Sequence, residues 1–245
     1  TPSKSDFGDL DILYSNLEQN VLIEFIRNNF NPYEIAVNGP VISFDYSLNL
    51  INNIETLESN TNEYFQIDMI RCENINMSRF YFSYGDLGGI LGRITQYIGV
   101  CLGSSGLIIK LTNDTMREYL EKYDKEKKYD TEIISKAQYS NIIITQDPKQ
   151  ICEFMGLDFT IWTKGFESQK SIYEWIVKSK IFNKDAFRVL NYPNRYRVNK
   201  RQMYQDFLKF IFEGEPEFMI EKADSQNYKN INKQLEIIES YNLIN

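Results

Sequence analysis

The chain of 245 residues contains no histidine. This excludes Ser-His-Asp and Cys-His catalysis, histidine metal sites and histidine-based pH switching. The cysteines are only three, Cys72, Cys101 and Cys152, and their wide spacing predicts neither a disulfide framework nor a zinc site. We expect reduced thiols, as in a cytoplasmic protein. Any catalysis must therefore depend on carboxylates, lysines, hydroxyls or thiols.

Long apolar runs are also missing. No stretch approaches the roughly 20 apolar residues that a membrane helix needs, and no secretory signal is recognisable. We therefore expect no membrane contact and a cytoplasmic location. The net charge of −7 argues against a protein that coats nucleic acid with its whole surface. With 42% hydrophobic and 25% charged residues, the composition is that of an ordinary globular protein.

The periodicity of apolar residues predicts a succession of strands and helices. In the first part of the chain we predict a strand at 9–14, a helix at 17–30, strands at 34–37 and 41–46 joined by a hairpin at Asn38-Gly39, and a strand at 64–71. Further on we predict a helix up to Val100, strands at 107–111 and 141–145, and helices at 148–155, within 168–213 and within 217–243. The highly charged residues 114–130 indicate a soft domain boundary.

An Asp-x-Asp pair lies on the first predicted strand. Because strand side chains alternate, Asp9 and Asp11 should face the same side, roughly 6.5–7 Å apart along the strand. Two carboxylates that close favour a cation between them, and magnesium prefers hard oxygen ligands. The loop before the strand contains Ser3, Lys4 and Ser5, which offer hydroxyls, backbone N–H groups and one cation to a triphosphate.

A third carboxylate, Asp68, stands among apolar neighbours in the predicted strand 64–71. A charge in such a place is costly without a partner, and metal ligation beside a neighbouring strand would supply one. Two ions bridged by three carboxylates can activate a hydroxyl and stabilise a leaving pyrophosphate. Asp45, in Ser-Phe-Asp-Tyr, is the alternative third ligand, but its spacing and less apolar flanks favour Asp68 instead.

Two segments resemble the signature of the DNA polymerase β nucleotidyltransferase superfamily. That signature is a Gly-Ser loop, then Asp-x-Asp/Glu between apolar residues, then a later acidic strand. The matching segments are Gly8-Asp9-Leu10-Asp11-Ile12-Leu13 and Gln66-Ile67-Asp68-Met69-Ile70. Their separation suits the helix and strands that the family places between them. No Gly-Ser pair is present in Thr1-Pro2-Ser3-Lys4-Ser5. The resemblance covers roughly residues 1–112.

The resemblance implies an α/β fold of the α+β type, with a mixed sheet and helices over residues 1–113. The helical periodicity further along predicts a mainly helical domain over 114–245. The resemblance also implies transfer of a nucleoside monophosphate from an NTP to a hydroxyl. Asp9 and Asp11 would bind two magnesium ions, with manganese as the alternative. Asp68 would ligate the catalytic ion and activate the acceptor hydroxyl, while Ser3, Lys4 and Ser5 would hold the triphosphate.

A basic stretch suggests the acceptor. Residues 161–210 contain eleven basic and four acidic residues, a net charge of +7. Within it, tyrosines alternate with Arg195, Arg197, Lys200 and Arg201, and aromatic stacking with phosphate pairing is how single-stranded nucleic acid is held. RNA, at its 3′ end, is the acceptor we favour. The alternative is a solvated helical face whose tyrosines pack inward.

The glycine-rich segment 84–93 fits neither a Walker loop nor a dinucleotide fingerprint. It predicts close backbone packing before a helix; the alternative is a role beside the nucleotide, with Arg93 contacting a phosphate. Similar segments occur in viral and phage proteins that resemble the superfamily. Two other hypotheses stay open for the whole chain: a catalytically inactive nucleotidyltransferase-like binding or assembly subunit, and an unrelated module with an accidental Asp-x-Asp.

Overall fold

The computed structural model describes residues 8–47, 64–111, 140–190, 200–214, 221–222 and 231–240. The chain divides into two compact units. The amino-terminal unit is Ser3–Arg79, and the carboxy-terminal unit is Phe80–Asn245 together with Thr1–Pro2. The predicted domain boundary at residue 113 falls outside the described residues and stays a prediction.

The amino-terminal unit contains one four-stranded mixed sheet. Its elements are β1 (Asp9–Tyr14), α1 (Gln19–Phe30), β2 (Ile35–Asn38), β3 (Val41–Ser47) and β4 (Tyr64–Arg71). The strand order is β1-β4-β3-β2, in which β1 and β4 are parallel and the other neighbours are antiparallel. The predicted α+β architecture with a mixed sheet is confirmed, and all five elements lie within two residues of their predicted bounds.

The β2–β3 hairpin turns one residue later than predicted. Asn38 still pairs with Val41, so Gly39 and Pro40 form the two-residue loop. Gly39 has a φ of +57°, which a residue without a side chain adopts at little cost. Pro40 has no N–H to give to a sheet, which favours its position in the turn rather than in the strand.

One face of this sheet carries the apolar core of the amino-terminal unit. Leu22 and Ile26 of α1 are buried against Ile42, Phe44 and Tyr14 of the sheet. The helix ends at Phe30, and Asn31 follows it in the left-handed conformation with a φ of +44°. Because strand side chains alternate, the opposite face is left for the residues between these apolar positions.

The carboxy-terminal unit combines a small antiparallel sheet with several short helices. In chain order, its described elements and the helix that crosses the unit boundary are α2 (Ile75–Phe82), α3 (Leu87–Tyr97), β5 (Cys101–Gly103), β6 (Gly106–Leu111), β7 (Ser140–Thr145), α4 (Pro148–Met155), α5 (Phe159–Lys164), α6 (Gln169–Ile176), a 3-10 turn (Lys184–Phe187), β8 (Val189–Leu190), α7 (Gln202–Ile211), β9 (Glu221–Lys222) and α8 (Ile231–Ser240). Strands β5, β6 and β7 form the antiparallel sheet, and β8 pairs with β9 in parallel.

Local sequence signals define several of these helices. The Asp147 side chain accepts a hydrogen bond from the Lys149 N–H at 2.9 Å, Pro148 occupies the first turn of α4, and Gly156 ends the helix with a φ of +68°. Ser168 and Ser171 form a reciprocal capping box at the start of α6. These caps satisfy backbone groups that the helix ends leave without intrahelical partners.

Aromatic packing fills the interior of the carboxy-terminal unit. The fully buried ring of Phe187 contacts that of Phe207 with centroids 5.2 Å apart, and Phe207 also packs on Tyr173 at 5.3 Å. The three cysteines of the chain are unpaired, and Cys152 is fully buried.

Candidate metal centre

Two neighbouring strands bring three carboxylates together. β1 and β4 run in parallel, and Asp11 is aligned with Asp68 across the pair. Asp9 lies two residues before Asp11 on the same face of β1. One ligand oxygen from each of these three residues lies within 4.8 Å of the others. Strand pairing therefore brings together Asp11 and Asp68, which are more than fifty residues apart in sequence.

The carboxylates occupy the sheet face that is opposite the apolar core. On β1, Tyr14 belongs to the core, so Asp9 and Asp11 project from the other side. On β4, Ile67 and Met69 pack against the core, which places Asp68 between them on the polar face. Asp9 and Asp11 are exposed and Asp68 is half-buried. Solvent can therefore reach the cluster.

Mutual repulsion and partial shielding raise the pKa of Asp11 above its ordinary value of 3.8. Burial of the carboxylate is the largest cause, followed by the negative charges of Asp9 and Asp68. An acid whose pKa is raised in this way is destabilised in its charged form. A bound cation would remove that penalty, because it would attract all three carboxylates at once.

The donor set fits a hard divalent cation. Carboxylate oxygens are the ligands that magnesium prefers, usually shared with the phosphates of a substrate. Three such oxygens within 4.8 Å of one another are close enough to ligate one ion or to bridge two. Among the described residues, no other group of three cysteine, aspartate or glutamate side chains has this arrangement.

Asp45, the alternative third ligand, has a different role. Its side chain accepts hydrogen bonds from the backbone N–H groups of Tyr33 at 3.1 Å and Glu34 at 2.6 Å. It therefore fixes the chain that leads into β2. Asp45 is aligned with Gln66 rather than with Asp68, and it is not a member of the carboxylate cluster.

Sequence reasoning gave no role to Gln66. Its Nε2 donates a hydrogen bond of 2.9 Å to Oδ1 of Asp68. The two residues are two apart on β4 and share a face, and that spacing was the signal by which Gln66 could have been found.

The remaining predicted site residues divide into described and undescribed ones. Ser3, Lys4 and Ser5 lie outside the described residues, as do Arg195 and Arg197. Lys200 and Arg201, in the carboxy-terminal unit, are exposed.

Arg201 has a structural partner within its own unit. Its Nη1 forms an ion pair of 2.8 Å with Oδ1 of Asp86, whose side chain is largely buried. Nearby in the sequence, Tyr204 packs inward, and burial raises the pKa of its phenol to about 12. Tyr173 is buried as well, so both tyrosines of residues 161–210 whose burial is described match the alternative in which these side chains face the core.

The glycine-rich segment serves close packing. A Cβ atom on Gly88 would lie 2.1 Å from the backbone oxygen of Tyr81, and one on Gly92 would lie 3.1 Å from that of Leu102. Arg93 is buried, and its Nε donates to the carbonyl of Ala186 at 2.6 Å. The hypothesis that Arg93 contacts a phosphate is therefore wrong, because its guanidinium is enclosed in the carboxy-terminal unit.

No helix in the described part of the chain has both the length and the apolar character needed to cross a membrane.

No family model and no curated protein matches the chain. Among solved structures, it is similar to polymerase beta of Leishmania infantum in a ternary gap complex, at 14% identity and a TM-score of 0.35. The match covers 61% of this chain and 54% of the polymerase chain, so it spans about half of that protein. At this TM-score the likeness carries no functional information.

Proposed function

We propose that the protein is a magnesium-dependent nucleotidyltransferase, which transfers a nucleoside monophosphate from an NTP to a hydroxyl. The observation that supports it most is the convergence of Asp9, Asp11 and Asp68 on one sheet face, within 4.8 Å of one another. Three carboxylates this close repel one another, and a bound cation would offset that repulsion. The sequence resemblance of residues 8–13 and 66–70 to the polymerase β superfamily points to the same chemistry.

In this proposal, Asp9 and Asp11 would hold both magnesium ions and Asp68 would hold one of them. Bound ions of this kind neutralise charge on a triphosphate and make a hydroxyl more acidic. Asp68 would accept the proton of the acceptor hydroxyl. The acceptor oxygen then bonds to the α-phosphorus while the bond from that phosphorus to the β-phosphate oxygen breaks, and pyrophosphate leaves. Manganese is the alternative ion, because it takes the same oxygen ligands.

The residues that would contact the substrates are proposed from their types and positions in the sequence. Ser3, Lys4 and Ser5 would bind the triphosphate through hydroxyls, backbone N–H groups and the lysine ammonium. The acceptor we favour is an RNA 3′ end, because residues 161–210 have a net charge of +7. Within that stretch, Arg195, Arg197 and Lys200 would contact phosphates. Arg201 would contact one as well, with its charge partly offset by the ion pair to Asp86.

Label transfer tests the proposal. The protein is incubated with magnesium and each labelled NTP, with and without RNA. The same assay is run on Asp9→Asn/Asp11→Asn and on Glu24→Gln, which changes an exposed carboxylate on α1 of the same unit. We expect transfer by the wild type and by Glu24→Gln, and none by the double variant. Transfer that persists in the double variant would refute the proposal, and the labelled product would identify the acceptor.

The second candidate is a catalytically inactive nucleotidyltransferase-like subunit that binds nucleotide or assembles with a partner. The observation that favours it is that Ser3-Lys4-Ser5 stands close before the Asp-x-Asp strand, a segment that departs from the Gly-Ser pair of the superfamily's signature. Nucleotide binding that needs the three carboxylates, without any transfer, would select this function. Three intact carboxylates are the reason for preferring the active enzyme.

A further inference from the structure

Gln66 completes a square of four side chains on the polar face of the sheet. On the paired strands β1 and β4, Asp9 is aligned with Gln66 and Asp11 is aligned with Asp68. Three corners of the square are therefore acids and the fourth is an amide. Gln66 has Asp9 beside it on β1, Asp45 beside it on β3 and Asp68 two residues along its own strand, so three aspartates neighbour this corner. Asp45 already accepts from the backbone N–H groups of Tyr33 and Glu34, which leaves Asp9 and Asp68 as the acceptors nearest to the amide.

The amide of Gln66 makes its hydrogen bond to Asp68. Nε2 lies 2.9 Å from Oδ1, a normal distance for an N–H donor and a carboxylate acceptor. An aspartate on a sheet surface otherwise rotates between staggered conformations. The bond holds one carboxylate oxygen of Asp68 and so restricts the direction of the other. In this conformation of Asp68, one of its oxygens lies within 4.8 Å of a carboxylate oxygen of Asp9 and of one of Asp11.

We propose that Gln66 is a positioning residue, which orients the Asp68 carboxylate for metal binding. The inference rests on the proposed function, since it assumes that the cluster binds a divalent cation. Residues that hydrogen-bond to metal ligands fix their orientation in many metal sites. An amide suits this corner for a second reason. A carboxylate there would add a fourth negative charge to the cluster, and a lysine would place a cation where the metal should bind.

Manganese titration followed by electron paramagnetic resonance tests the inference without any need for turnover. Gln66→Met keeps the length of the side chain and removes the donor. Gln19→Met is the matched control, because Gln19 is a glutamine of the same unit whose Nε2 donates to the carbonyl of Gly39 at 3.0 Å, away from the cluster. We expect Gln66→Met to weaken manganese binding by about tenfold, the low end for partners of metal ligands, and Gln19→Met to leave it unchanged.

A second measurement shows whether Gln66 acts through Asp68. The equilibrium constant of unfolding is measured without metal for the wild type, Gln66→Met, Asp68→Ala and the double variant. We expect the double variant to deviate from the product of the single effects by about 2- to 10-fold, the worth of one hydrogen bond. If Gln66→Met folds poorly, Gln66→Val replaces it, because valine also lacks a donor and is a good strand former.

The outcomes separate the two claims. If the wild type binds manganese no better than Asp9→Asn/Asp11→Asn, the metal site fails and this inference fails with it. If the wild type binds well but Gln66→Met binds equally well, the metal site stands and the positioning role is overturned. Additive effects on unfolding would overturn it too, because Gln66 would then act independently of Asp68.

Discussion

Replacement of Asp11 by asparagine should stabilise the metal-free protein. In the wild type, the ligand oxygen of Asp11 lies within 4.8 Å of those of Asp9 and Asp68. Two unit charges at that distance repel by about 0.9 kcal/mol with the dielectric constant of water. Physiological salt reduces this to roughly 0.5 kcal/mol for each pair. Removal of both repulsions therefore predicts a gain of about 1 kcal/mol in the free energy of unfolding.

The pH dependence follows from the raised pKa of Asp11. Because this pKa lies above its ordinary value of 3.8, the folded protein keeps its proton at a pH where the unfolded chain has lost it. The loss of stability caused by the charged Asp11 is therefore complete above the pKa of Asp11 in the folded protein, and it disappears as the pH falls toward 3.8. Asp11→Asn should be most stabilising near neutral pH, and its advantage should shrink on acidification.

Urea unfolding in the presence of a chelator is the suitable assay, at pH 7.5 and pH 4 and at low and high salt. Glu24→Gln is the control, since it removes one negative charge from an exposed helical position of the same unit. With magnesium, the wild type should become more stable than Asp11→Asn, because the ion binds the three carboxylates of the wild type and binds the variant weakly. A loss of stability in Asp11→Asn at neutral pH without metal would show that repulsion among the three carboxylates does not destabilise the fold. A gain equal to that of Glu24→Gln would show the same.

Three other predictions concern the packing around the site and in the carboxy-terminal unit. Asp45→Asn should lower the free energy of unfolding by about 1 kcal/mol, because its charge supports two backbone hydrogen bonds; urea unfolding measures it, and an unchanged midpoint would contradict it. Gly88→Ala should lower the free energy of unfolding by about 1–3 kcal/mol, because the new methyl group would overlap with Tyr81. Gly89→Ala should not be destabilising, because the nearest atom to its new methyl group would be 3.7 Å away. Equal urea midpoints for the two variants would contradict this. Burial raises the pKa of Cys152 to about 12, so a thiol reagent should leave it unlabelled in the folded protein at pH 8, and labelling without unfolding would contradict this.

The secondary structure around the site could be predicted because its signals are local. Alternation over residues 9–14 and 64–71, and the helical spacing over residues 17–30, reproduce β1, β4 and α1 almost residue by residue. The same alternation places Asp9 and Asp11 on one face. These features depend on neighbours in sequence, which a single chain displays directly.

Strand order could not be read from periodicity. The resemblance of two segments to a known superfamily suggested that Asp68 would lie beside Asp9 and Asp11, and the parallel pairing of β1 with β4 brings them together. Periodicity alone would have allowed Asp45 on β3 equally well. The choice depends on which strand lies beside β1, and that depends on contacts between residues far apart in sequence.

Side-chain partners were the least predictable feature. Arg93 and Arg201 are both cations in segments with functional signals, yet one donates to the Ala186 carbonyl and the other pairs with Asp86. Ala186 and Asp86 are both far from their arginines in sequence, although Arg93 also donates to Gln96, three residues away. Gln66, by contrast, is only two residues from Asp68, but a neutral amide is not a residue type that a search for metal ligands singles out.

The most direct test of the metal centre is a crystal structure with manganese and a non-hydrolysable NTP, using anomalous scattering to locate the ions. We expect two anomalous peaks that are both ligated by Asp9 and Asp11, with Asp68 on one of them and the phosphates of the nucleotide completing the coordination. Well-ordered nucleotide with no manganese at these three carboxylates, or with manganese ligated elsewhere, would contradict it.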